Sequence, residues 1–144
     1  MYKGWIMENR KCIAVLTEKP SLDYQSGILK GIYRSAFSHD VNVAVFCVTS
    51  TRSDEAYQIG EMVIFSLLGD YSRFSGVIYL PDTIDYSMRD TLITEKLIAA
   101  SRKIKIPVVT IDGNYDEFPC FLSDDSEPIQ FLVDHLSAGH GCKD

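Results

Sequence analysis

Four short apolar runs alternate with four amphipathic segments along this chain, and that alternation restricts the fold more than any other feature. The runs are Cys12-Ile13-Ala14-Val15-Leu16, Val43-Ala44-Val45-Phe46-Cys47-Val48, Gly76-Val77-Ile78-Tyr79-Leu80 and Pro107-Val108-Val109-Thr110-Ile111. Each is close to continuously apolar, which is the pattern of a strand buried on both faces. Successive runs begin roughly thirty residues apart, the length of a βαβ unit. Strands in that rhythm build a parallel sheet with helices on both sides. The fold class that follows is α/β, a doubly wound parallel sheet.

The intervening segments carry helical periodicity. Between Tyr24 and Ser38, Ile28, Leu29, Ile32, Tyr33, Ala36 and Phe37 fall on one face. Gly27 and Gly31 in that helix are expected to permit close packing. A second helix is expected from Ser53, a good N-cap followed by Asp54 and Glu55, to about Leu68, burying Ile59, Met62, Val63 and Leu67. A third runs from about Ser87 to Arg102 with Leu92, Ile93, Leu97 and Ala100 inward. The fourth starts at Ser126-Glu127-Pro128, with proline in the first turn, and turns Ile129, Leu132, Val133 and Leu136 to one side. Pro81 stops the third strand. Pro107 at a strand start is tolerated, because only its own donor is lost. Gly113-Asn114 turns the chain, and Phe121-Leu122 reads as a short extra strand.

At 144 residues the chain amounts to one domain, and no low-complexity linker divides it. A hydrophobic content of 46% suffices for a core, and 24% charged residues suit a soluble surface. The formal charge of −6, with no basic cluster beyond Arg102-Lys103 and Lys105, argues against contact with a phosphate backbone. Met1 to Arg10 lacks the apolar core of a signal peptide, and no segment approaches a membrane span. Cys12 and Cys47 sit in apolar strands, where a thiol behaves as a small hydrophobe. Neither they nor Cys120 and Cys142 make a Cys/His spacing that suggests zinc. A reduced, cytoplasmic protein with no metal or cofactor is expected.

Catalytic motifs are missing. No GxSxG, P-loop or HExxH occurs, and neither His39 nor His135 stands at a motif spacing from a Ser or Cys nucleophile. The chain is not expected to be an enzyme. The carboxyl ends of parallel strands converge on one rim, where such sheets bind ligands. Candidate ligand-binding residues there are Thr17, Glu18, Asp23 and Tyr24 after the first run, Thr49 (with Ser50) after the second, and Pro81 and Asp82 after the third. Asp112 follows the fourth run and Asp124 the short extra strand. Carboxylates, hydroxyls and an aromatic ring are the groups that recognise a sugar or a similar polar metabolite. Asp112 has a second reading as the head of an Asx-turn, bonded to nearby backbone.

The order of these pieces resembles the ligand-binding core of the LacI/GalR repressors, which have the periplasmic-binding-protein (type I) fold. The matching stretches are YQSGILKGIYRSA (Tyr24–Ala36), FSGVIYL (Phe74–Leu80), IPVVTID (Ile106–Asp112), Asp124, and VDHLSAGH (Val133–His140). Residues 1–11 then form an N-terminal extension, and residues 12–144 form the N-terminal lobe, stopping where a strand toward a second lobe is due. The family's helix-turn-helix has no counterpart here. The ending His140-Gly141-Cys142-Lys143 and EMVIFSL (Glu61–Leu67) look more like a related group. In that group a LacI-like sensor stands in front of a GGDEF diguanylate cyclase or a histidine kinase. The resemblance implies a clamshell that closes on a small polar ligand and biases an output domain. It also implies a homodimer through the first two predicted helices, with Tyr33, Tyr57 or Phe65 as contact candidates. Two other readings stand beside it. One is the core of a LacI/GalR-type transcriptional regulator. The other is a self-contained flavodoxin-like or receiver-like domain, for which Thr17-Glu18-Lys19-Pro20-Ser21 is a poor phosphate loop and Glu18 lacks an acidic neighbour. An isolated lobe with an unpaired sheet edge is expected to be marginally stable or to self-associate.

Overall fold

A computed structural model describes residues 10–48, 71–84 and 94–140. Within them β1 is Cys12–Glu18, α1 Asp23–Ser38, β2 Asn42–Val48, β3 Gly76–Tyr79, α2 Thr94–Ile104, β4 Val108–Ile111, β5 Cys120–Phe121 and α3 Ser126–His140. Short 3-10 turns at Tyr71–Arg73 and Pro81–Thr83 flank β3. The five strands form one sheet in the order β2-β1-β3-β4-β5. Every pairing is parallel. The doubly wound α/β class expected from the alternation is therefore the observed one.

Strand order fixes where the helices go. A right-handed crossover from β1 to β2 runs one way along the sheet, and one from β3 to β4 runs the other. α1 and α2 consequently lie on opposite faces. Side-chain alternation agrees. Ala14, Leu16, Val77, Tyr79 and Val108 face α2 and pack with its Leu97, with Ile98 and Ala100 alongside. Val15 and Ile78 turn the other way, toward Leu29, Ile28 and Ile32 of α1.

Several boundaries and faces differ from the sequence reading. β1 runs two residues past Leu16, so Thr17 and Glu18 are strand residues rather than loop. Pairing along all seven residues of β2 sustains that extension. The fifth strand is one residue earlier than Phe121-Leu122, because Cys120 pairs with Thr110. Among the described residues Gly27 and Gly31 do not serve close packing, since an added Cβ would meet nothing there within 4 Å at either. On α1 only part of the apolar stripe is used: Leu29 and Ala36 are buried, whereas Tyr33 is half exposed and Phe37 is 90% exposed. The apolar stripe of α3 is not buried at all. The helix expected at Ser53–Leu68, with Tyr57 and Phe65, lies outside the described residues, as do Leu92 and Ile93.

Candidate functional site

In the order 2-1-3-4-5 the chain reverses direction between β1 and β3, and the crevice at that switch point is where open α/β sheets take ligands. Here its walls are the ends of β1 and β3. Leu80 N–H donates to the Leu16 carbonyl at 3.0 Å, which carries the pairing one residue beyond β3. Pro81 then starts the 3-10 turn, where its missing donor costs nothing.

Thr83, the last residue of that turn, ties the two strand ends together. Its hydroxyl donates to the Leu80 carbonyl at 2.7 Å. The same oxygen accepts the Glu18 N–H at 3.1 Å and lies 3.1 Å from the Thr17 hydroxyl. Sequence reading stopped at Asp82 and missed Thr83. The available signal was a hydroxyl two residues after a proline that opens a turn. Thr17 is fully buried and Glu18 is 5% exposed. The Glu18 carboxylate reaches Lys19 Nζ at 2.6 Å. Lys19 holds a left-handed φ of 42°, unusual for a side chain of its length, and this turns the chain off β1 toward α1. Asp82 is exposed on the opposite wall.

A second cluster is centred on Asp112, at the end of β4. The Tyr24 hydroxyl, from the first turn of α1, donates to Asp112 Oδ2. Ser123 N–H donates to Oδ1 at 2.7 Å and the Ser123 hydroxyl to Oδ2 at 2.9 Å. Asp112 thus clamps three elements and is not the head of a local Asx-turn, since its backbone partner is eleven residues away. Its φ of 55° is one that Asp tolerates better than most residues. The Tyr24 and Ser123 donors hold its carboxyl below the ordinary carboxylate range. Partial burial, then the Asp112 carboxylate and the charges of Asp82 and Asp125, push the Tyr24 phenol up. Gly113 packs directly on Pro81. A Cβ there would stand 1.9 Å from Pro81 Cγ, so only glycine lets the β4 loop meet the β3 turn.

Other sequence candidates fall differently. Asp23 is exposed at the start of α1. Asp124 serves α3, accepting the Ser126 N–H at 3.1 Å and the Ser126 hydroxyl, and these bonds lower its pKa. Thr49 lies outside the described residues. The structure therefore brings Thr17, Glu18, Pro81 and Asp82 to one crevice, with Tyr24 and Asp112 joined beside it. Gln25, in the first turn of α1, is buried, and its Oε1 has no hydrogen-bond partner among the described residues. No group of three or more His, Cys, Asp or Glu placed to hold a metal occurs among the described residues.

A five-stranded, all-parallel sheet with helices on both faces defines a doubly wound α/β fold, and solved structures narrow the fold further. No protein-family model and no curated protein sequence matches the chain. Its fold matches that of the LacI family transcriptional regulator CCPA from Weissella paramesenteroides with bound glucose, at a TM-score of 0.56 and 20% identity, covering 88% of this chain and 41% of that one. A LacI transcriptional regulator from a Rhodococcus species matches with a TM-score of 0.60 and 19% identity, covering 89% and 41%. The lac repressor dimer bound to operator and the anti-inducer ONPF matches with a TM-score of 0.60 and 19% identity, covering 92% and 42%. The chain spans about two-fifths of the length of these structures. It shares the α/β fold of LacI-family ligand-binding domains. No helix of the described residues is long and apolar enough to cross a membrane.

Proposed function

We propose that this chain is one lobe of a small-molecule sensor and that it binds a neutral, hydroxyl-rich ligand of the sugar class in the crevice between the ends of β1 and β3. The observation that carries this reading is the Thr17–Glu18–Thr83 arrangement at the switch point. It fixes a buried carboxylate and two hydroxyls where this fold receives ligands. Sugar hydroxyls both donate and accept, which suits a rim of carboxylates and hydroxyls. Glu18, Asp23, Asp82, Asp112 and Asp125 outweigh Lys19 there, so a phosphorylated ligand would meet repulsion. The unused Gln25 oxygen adds an acceptor on the first turn of α1. Glucose in the Weissella structure supports the ligand class.

Closure against a second lobe would convert binding into an output. The transcription-regulator reading has the support of the structural neighbours, whose fold this chain shares. The reading as the sensor of a diguanylate cyclase or histidine kinase rests on the His140-Gly141-Cys142-Lys143 ending and the EMVIFSL stretch (Glu61–Leu67). On either reading the chain itself carries out no chemistry. Calorimetric titration with D-glucose and other hexoses tests the ligand class. One wall of a crevice should give weak binding, with a Kd on the order of 1 mM, or about 4 kcal/mol. Glu18→Gln and Thr83→Val should each weaken it. Equal binding of a hexose and its 6-phosphate, or full binding by both variants, would overturn the reading.

A further inference from the structure

At the far end of α3, two exposed imidazoles face one another. His135 Nε2 and His140 Nε2 are 3.2 Å apart. The rings meet edge to face, with centroids 5.0 Å apart and planes at 74°. One explanation is a hydrogen bond between neutral rings, one Nε2–H donating to the other lone pair. The spacing also equals a chelate bite: two imidazole nitrogens about 2.0–2.1 Å from a tetrahedral Zn2+ stand about 3.3 Å apart. Residues five apart do not share a face of a regular helix, although four intervening residues fall within the H-x3–5-H spacing of zinc ligands.

We propose that His135 and His140 form a two-imidazole chelate for a divalent late-transition-metal ion of the Zn2+, Ni2+ and Cu2+ class, with water completing the coordination. Three observations support it. The nitrogens are already placed, so binding orders little that is not ordered beforehand. His140 is the last residue of a fifteen-residue helix, in the turn where the dipole favours a cation, and His135 stands five residues before it. Gly139 puts no side chain beside the pair, where a Cβ would be in van der Waals contact, at 3.7 Å, with Cε1 and Nδ1 of the His135 ring. Imidazole is a preferred ligand for all three ions. The pair lies about 14–21 Å along α3 from its first residue, at about 1.5 Å per residue, and shares no residue with the ligand site proposed above.

Zn2+ titration of the full chain under reducing conditions, followed by imidazole 15N shifts, tests the proposal, because these shifts separate imidazole from thiolate ligation. One equivalent of Zn2+ should move the His135 and His140 Nε2 signals together and leave His39 in place. His135→Ala and His140→Ala should each weaken binding at least about tenfold, since even outer-shell partners of a metal site are worth that much. Far-UV circular dichroism should be unchanged in both. Zn2+ taken up without movement of the two imidazoles would overturn the proposal. So would single variants that bind as the parent does, or the absence of saturable binding.

Discussion

The two faces of the sheet are built from the same alternating strands, yet they end in different states. On the α2 face, Leu16, Tyr79, Leu97 and Val108 interlock, and none exceeds 4% exposure. On the α1 face, Ile13, Ile78 and Val109 are only half buried. Two openings of about 530 and 380 Å³ lie against that face and share Ile13, Val41 and Ile78. The one remaining described helix, α3, stands away from the sheet with Ile129, Leu132, Val133 and Leu136 each about half exposed. Helical periodicity specifies that a stripe is apolar. It does not specify which surface the stripe meets, and that is settled by packing.

The largest expected effect exploits this contrast. Leu97→Ala should cost about 2–5 kcal/mol, the range for a buried leucine whose cavity cannot collapse. Leu132→Ala on α3 should change stability by no more than about 0.5 kcal/mol. Urea unfolding of the two variants reads the difference directly, and comparable losses would mean that α3 is packed against the sheet after all.

Gln25 sharpens the comparison from the polar side. A buried oxygen without a partner costs about 1–3 kcal/mol. Gln25→Leu should therefore raise stability by about 1 kcal/mol while lowering affinity for a hexose. A loss of stability in the same melt would show that the amide is already satisfied.

The smallest effect lies at the Tyr24–Asp112–Ser123 clamp. Asp112 has a lowered pKa, so its contribution to stability is present above the ordinary value of 3.8 and fades as pH falls below it. Tyr24 has a raised pKa, so its contribution is present below the ordinary value of 10.0 and fades as pH climbs past it. Tyr24→Phe should cost about 1 kcal/mol or less near neutral pH, because the pair is exposed. It should also flatten both limbs of a stability–pH profile. Unchanged limbs would show that the hydroxyl and the carboxylate are not bonded in solution.

Most of the sheet was legible because continuous apolar runs leave a strand few alternatives. Its rim was less so. Thr17 and Glu18 were read as loop because polar residues follow Leu16, yet the pairing of β1 with β2 carries the strand through them. Thr83 matters through a fold contact some 65 residues distant in sequence, and the hydroxyl after Pro81 marks the turn but not that contact. Asp112 was placed at the rim, but its partners Tyr24 and Ser123 come from α1 and the loop after β5, so the clamp becomes visible only once the strands are assembled. The role of Asp124, which accepts from the backbone two residues on and leads into α3, is the ordinary one for an acid in a loop.

The central claim is that the crevice between β1 and β3 is the ligand site. Backbone amide shifts of the 15N-labelled chain, recorded across a D-glucose and hexose titration, test it most directly. The account predicts saturable shifts concentrated at Thr17, Glu18, Gln25, Asp82 and Thr83. Shifts confined to the opposite rim around Lys11, Val41 and Ser75, or none with any hexose at concentrations far above the predicted Kd, would contradict it.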